Sequence, residues 1–199
     1  MKEPDAPREL QETAVEYKSQ KARLTYEDYC LTPPGERYEL IEGVLRKMTP
    51  APSVFHQEIS KRLERLLLEW VEDRGLGKVY DAPIDVVLSQ HNVLQPDLIY
   101  ISKERTEIIH KANIWGAPDL VVEILSPSTA ELDQETKRRI YAAYGVRELW
   151  LVDPDNKSIE VATLDGHDLA TLEIYRPGSI MTTRLLPGFS LDVGMLFKL

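Results

Sequence analysis

Two acidic residues stand where hydrocarbons are expected. Asp97 lies in Gln95-Pro96-Asp97-Leu98-Ile99-Tyr100, and Glu123 lies in Pro118-Asp119-Leu120-Val121-Val122-Glu123-Ile124-Leu125-Ser126-Pro127-Ser128. A carboxylate inside an apolar strand is costly unless it is paired or binds a cation. Two of them on adjacent strands point to a site for Mg²⁺ or Mn²⁺, hard ions that take oxygen ligands, with the Ile124 backbone carbonyl as a further donor. An ion held this way supplies what phosphodiester hydrolysis needs: a neutralised phosphate, a polarised water and help for the leaving oxygen. Asp97, which follows a proline at a strand start, has the alternative of bonding nearby backbone amides. Glu123 has no local cap or turn to serve.

A third candidate is Lys137. Ser128 and Glu131 have the spacing of a capping box, so a helix is expected from about Thr129 to Tyr144, ended by Gly145. At 100° per residue Leu132, Thr136, Ile140, Tyr141, Ala143 and Tyr144 share one face. Lys137 projects within that face, while Arg138 and Arg139 point away. Lys137 is therefore aimed inward, able to hydrogen-bond an attacking water or to stabilise charge developing on phosphorus. Pairing with Asp133, one turn earlier, is the competing and compatible role.

Other elements must position these groups. Tyr38-Glu39-Leu40-Ile41 and Val44-Leu45-Arg46-Lys47-Met48 read as a hairpin turning at Glu42-Gly43, which puts Glu39 in mid-strand. Glu39 is a further acid for the site or a partner in a cross-strand pair, and Glu42 is most simply a turn residue, with a ligand role as the alternative. Ile59, Leu63, Leu66, Leu67, Trp70 and Val71 recur at helical spacing between His56 and Arg74, and His56 begins that helix, as a structural histidine or, alternatively, a catalytic or phosphate-binding one. Strands are expected at Val79 to Leu88, Val93 to Ser102 and Asp119 to Leu125, with a mixed connection from Lys103 to Gly116. Arg147 to Asp153 closes a strand–helix–strand unit, which favours a parallel pair with a right-handed crossover. The remaining segments, Ser158 to Leu164, Leu169 to Tyr175 and Ile180 to Leu186, read as antiparallel strands.

The two-strand pattern resembles the PD-(D/E)xK nuclease superfamily, with Pro96-Asp97 as its first half and Glu123 as the acid of its second. Leu125 stands where that superfamily has lysine. The departure resembles the Uma-two branch of restriction-endonuclease-like proteins, in which the lysine lies on the next helix. Tyr38 to Gly43, His56-Gln57, Gln95-Pro96-Asp97, Ala117 to Ser128, Lys137 and Tyr141 to Val152 carry the likeness, over about residues 24 to 199. The resemblance implies an α/β fold with a mixed central sheet flanked by helices and additional antiparallel strands at both ends. It implies Asp97 and Glu123 as ligands of Mg²⁺ or Mn²⁺, Glu39 as an additional ligand or water-holding acid, Lys137 as the relocated lysine, and a metal-dependent endonuclease acting on nucleic acid, with DNA the expected substrate. Related folds pair to cut two strands, so a homodimer is a further expectation. A non-catalytic nucleic-acid- or protein-binding module on the same fold, and hydrolysis of another phosphorylated compound, are the competing readings.

Composition bounds these possibilities. The chain has 199 residues and a formal net charge of −9, which excludes nucleic-acid coating by bulk positive charge. Any contact with nucleic acid must be local or metal-assisted. Residues 1–23 are polar and read as an extension to one domain over 24–199. No apolar run has the length of a membrane span and the start lacks a secretory pattern, so a cytoplasmic protein is expected. The one cysteine, Cys30, excludes an internal disulfide and is expected to be a buried, inert thiol. There is no Gly-rich phosphate loop, Gly-x-Ser-x-Gly elbow or His-Glu-x-x-His, so triphosphatase, serine hydrolase and zinc protease readings have no support.

Overall fold

The computed structural model describes residues 23–48, 52–126 and 131–198, with the side chains of 131–133 outside the description. In chain order the elements are α1 (Tyr26–Cys30), β1 (Tyr38–Ile41), β2 (Val44–Lys47), α2 (Val54–Val71), β3 (Gly77–Asp81), β4 (Val86–Ser89), β5 (Asn92–Leu94) and β6 (Leu98–Ser102). A 3-10 segment (Lys103–Ile108) leads to β7 (Ile114–Trp115), β8 (Leu120–Ile124), α3 (Glu131–Ala143), β9 (Glu148–Asp153), β10 (Ser158–Asp165), β11 (Asp168–Tyr175), β12 (Ile180–Thr182), β13 (Ser190–Asp192) and α4 (Val193–Leu196).

The strands form a six-stranded mixed sheet, β11-β10-β9-β8-β6-β3, a five-stranded sheet, β2-β1-β5-β4-β7, and the small pair β12-β13. Strands β8 and β9 are parallel, joined by α3, as the strand–helix–strand pattern requires. The six-stranded sheet is covered on both faces, which is why β6 and β8 are apolar almost throughout. On one face Ile59, Leu63, Leu67 and Val71 of α2 pack against Leu98, Leu120, Val122 and Ile124. On the other, Ile140 and Tyr141 of α3 meet Ile99, Val121 and Leu149. Each fully buried aliphatic side chain here contributes about 2 kcal/mol of hydrophobic stabilisation. Among the described residues, no helix is long and apolar enough to cross a membrane.

Two expected strands are each divided in two. Val79 to Leu88 becomes β3 and β4, and Val93 to Ser102 becomes β5 and β6; the members of each pair belong to different sheets. Pro83 and Pro96 lie in the breaks, where a residue lacking an N–H cannot continue a ladder. The two crossings are tied together by the Ala82 N–H donating to the Asp97 carbonyl at 3.0 Å. The Pro-Asp dipeptide is thus the point at which the chain passes between sheets.

The hairpin forms as expected. Glu42 and Gly43 both have positive φ, 53° and 80°, which a two-residue turn of this twist demands. Cys30 departs from expectation: at the end of the short helix α1 its thiol is exposed, because Tyr29 is the residue that helix turns into the core. The capping box at Ser128 and the pairing partner Asp133 lie outside the described residues or side chains.

Candidate active site

Strand alternation sends Glu123 to the α3 face of β8, the side of Val121. There Lys137 and Tyr141, one turn apart on α3, both reach it. The Lys137 Nζ lies 3.4 Å from Glu123 Oε1, and the Tyr141 hydroxyl donates to the same oxygen at 2.6 Å. The Lys137 ammonium also donates to Glu39 Oε1 at 2.9 Å. One cation therefore bridges acids from the two sheets, β1 in one and β8 in the other.

Asp97 enters from the sheet crossing. Its Oδ2 accepts from the Ile124 N–H at 2.7 Å, which places it beside the residue that follows Glu123. Its Oδ1 lies 3.4 Å from His56 Nε2, at the start of α2. Glu39 is held from a second direction by the Gln95 N–H, at 3.0 Å from Oε1. The side chains of Glu39, Lys137, Glu123 and Asp97 are 7, 12, 15 and 21% exposed, so the group is sheltered yet open to solvent at Asp97.

Glu39 and Glu123 share the Lys137 ammonium, and Asp97 lies between Glu123 and His56. Burial, with Asp97 and Glu39 adding like charge, pushes Glu123 up to about 7 against the pull of Lys137 and Tyr141. Burial, then the neighbouring carboxylates, also raises the Tyr141 phenol, which stays a donor. Burial disfavours the His56 cation, but the bond and charge of Asp97 prevail and its pKa rises. The His56 Nδ1 is buried without a hydrogen-bond partner among the described residues. Beside these groups Glu123, Lys137, Tyr141, Leu125, Leu149 and Leu151 line a narrow cavity of about 30 Å³, enough for a water molecule or two.

All four predicted residues, Asp97, Glu123, Glu39 and Lys137, meet in one place. Glu39 is inside the cluster and 5% exposed overall; it is not an exposed hairpin acid. Glu39 Oε1 accepts from Lys137 and Gln95, and among the described residues no three His, Cys, Asp or Glu side chains enclose a cation position.

Tyr141 is the core aromatic expected, but sequence reasoning missed its hydroxyl bond to Glu123, and it favoured a structural role for His56 over a catalytic or phosphate-binding one. The signal for Tyr141 was its position four residues after Lys137, which puts both on one helix face. The signal for His56 was weaker, since only folding brings the start of α2 to the Pro-Asp crossing.

Neighbouring charges have other work. Asp119, wholly buried, accepts from the Ser102 N–H at 2.8 Å and from Arg105 and Arg147, both at 3.2 Å, so it ties β8 to its surroundings. Glu42 pairs with Arg139 at 3.0 Å. Arg138, expected to point into solvent, is half-buried and bonds Glu160, Thr171 and the Leu169 carbonyl, because β10 and β11 extend past α3. Ala143 and Tyr144, expected on the inward face, are exposed, and Ala142 is buried instead, since the helix ends by Gly145 and its last turn leaves the sheet.

Comparison with known proteins agrees with this architecture. A crystal structure of a "putative nuclease belonging to DUF820" from Anabaena variabilis superposes with a TM-score of 0.74 at 20% identity, covering 87% of this chain and 97% of that one. At that identity the likeness is one of fold: a mixed α/β architecture with helices flanking the central sheet. No curated protein matches the sequence. The family model Uma2, described as "Putative restriction endonuclease", matches residues 24–194, and the chain belongs to that family.

Proposed function

We propose that the protein is a metal-dependent nuclease that hydrolyses phosphodiester bonds of nucleic acid, with DNA as the substrate. The observation that carries this reading is the convergence of Glu123 and Glu39 on Lys137, with Asp97 held next to Glu123 by the Ile124 N–H and a water-sized cavity against Glu123 and Lys137. Membership of the family described as "Putative restriction endonuclease" supports it.

The donor set fits a hard divalent cation. Asp97 and Glu123 offer carboxylate oxygens only, and the pKa of Glu123 is raised chiefly by burial, with the like charge of Asp97 and Glu39 adding to it against the pull of Lys137. Asp97 and Glu123 would hold Mg²⁺ or Mn²⁺, with Glu39 as the additional acid. When bound, such an ion neutralises the phosphate and polarises the water that attacks it.

The chain's own groups do the rest. Glu39 and Glu123 fix the Lys137 ammonium between them, so it can donate a hydrogen bond to the attacking water or to a phosphate oxygen as charge builds. Tyr141 holds the Glu123 carboxylate in one orientation, and the Ile124 N–H does the same for Asp97. Leu125, Leu149 and Leu151 line the cavity with Glu123, Lys137 and Tyr141, and this apolar surface strengthens the interactions among those three groups.

The test is cleavage of single-stranded, double-stranded and structured nucleic acid with Mg²⁺ or Mn²⁺, alongside calorimetric titration with Mn²⁺. Cleavage well above a Lys137→Ala control is expected, with Mn²⁺ binding lost in Asp97→Asn and Glu123→Gln. Protein that binds no metal and cleaves nothing above that control would overturn the proposal.

A further inference from the structure

The exposed Arg37 is fixed by buried protein. Its Nε–H donates to the Gln95 side-chain oxygen at 2.9 Å, and Gln95 is itself buried. The Gln95 amide nitrogen donates to Asp85 at 2.9 Å and to the Tyr29 hydroxyl at 3.1 Å, while that hydroxyl donates to Asp85 at 2.7 Å. This network leaves the Gln95 oxygen one orientation, toward the guanidinium. Among the described residues, the two terminal nitrogens of Arg37 have no hydrogen-bond or ion-pair partner.

Gln95 also holds the site. Its backbone N–H bonds Glu39 Oε1, so a single residue fixes both the acid and the arginine. The Met48 N–H donates to the Arg37 carbonyl, extending the β1–β2 ladder by one residue, and the alternation of a strand then puts Arg37 on the same face as Glu39. Two strand residues span about 7 Å. That is roughly two steps along a nucleic-acid strand, at about 3.4 Å of axis each.

A guanidinium pinned through Nε and open at its fork is preorganised for the oxygens of a phosphate. In a chain of net charge −9, it is a local positive group beside an acidic cluster. We propose that Arg37 grips a backbone phosphate adjacent to the scissile one and so registers the strand in the cleft. The inference rests on the nuclease reading and adds a substrate contact to it.

The experiment compares the wild type, Arg37→Gln, Arg37→Lys and, as an exposed control outside the cluster, Arg184→Gln. Binding of a mixed-sequence oligonucleotide, single-stranded and duplex, is measured in EDTA across a salt series, and kcat and KM are measured with Mg²⁺ or Mn²⁺. Arg37→Gln is expected to raise Kd and KM and to flatten the plot of log K against log salt by about 0.7 for the single strand or 0.9 for the duplex. Its kcat is expected to change little. Arg37→Lys should keep the wild-type slope, and Arg184→Gln should match the wild type throughout. A wild type that cleaves, with an Arg37→Gln slope unaltered, overturns the phosphate contact and leaves the nuclease reading standing. A fall in kcat with KM and slope unchanged also overturns it, because Arg37 would then act only through Gln95. A wild type that neither binds nor cleaves overturns both.

Discussion

Lys137 and Tyr141 donate to the same atom, Oε1 of Glu123, from consecutive turns of α3 at 3.4 and 2.6 Å. The i, i+4 spacing makes this pincer possible, and the parallel β8–α3–β9 unit brings it over the acid. A buried carboxylate is thereby oriented by one neutral donor and one charged donor.

Tyr141→Phe keeps the ring in its packing and removes only the hydroxyl. The protein is expected to fold normally and to lose about 10- to 100-fold in metal affinity or cleavage rate, the usual effect of removing a group that orients a ligand. Mn²⁺ calorimetry and kcat measured side by side check this.

Glu123 sets the pH response of the metal-free protein. Its folded pKa, about 7, lies above the value of about 4.3 for an unfolded glutamate. The folded state therefore binds the proton more tightly. The stability contributed is complete below the unfolded value and is lost as pH rises through about 7. Thermal unfolding in EDTA should show a midpoint that falls between pH 5 and 8, and Glu123→Gln should flatten that slope.

Asp119 has the opposite sign. Burial opposes its ionisation, but the Ser102 N–H and then Arg105 hold the pKa below the usual carboxylate range. Its contribution is present above the unfolded value and disappears as pH falls through the folded one. Asp119→Ala leaves the Ser102 N–H unsatisfied in a buried place, at a cost of about 2 kcal/mol. Urea unfolding should report that loss, while Mn²⁺ binding stays intact because Asp119 serves Arg105 and Arg147, not the site.

Cys30 is exposed at the end of α1 and is the one thiol in the chain. The native protein should react with Ellman's reagent at one equivalent without denaturant, and the labelled protein should retain its metal affinity. A thiol that reacts only after unfolding would contradict the placement of α1.

The sequence by itself determined the parts of this protein that rest on local periodicity. The α2 stripe, the α3 face with Lys137 turned inward, the hairpin at Glu42-Gly43 and the parallel pair around α3 follow from spacings of 3.6 and 2 and from turn chemistry. Asp97 and Glu123 were legible because an acid in an apolar run demands a partner. Only the tertiary structure decided what lies between sheets. An unbroken apolar run reads as one strand, so the crossings at Pro83 and Pro96 were hidden, and with them the path of Asp97. The same applies to His56, Glu39 and Gln95, whose neighbours are tens of residues away in the chain. Their roles depend on where two sheets meet, a distance that no local pattern records.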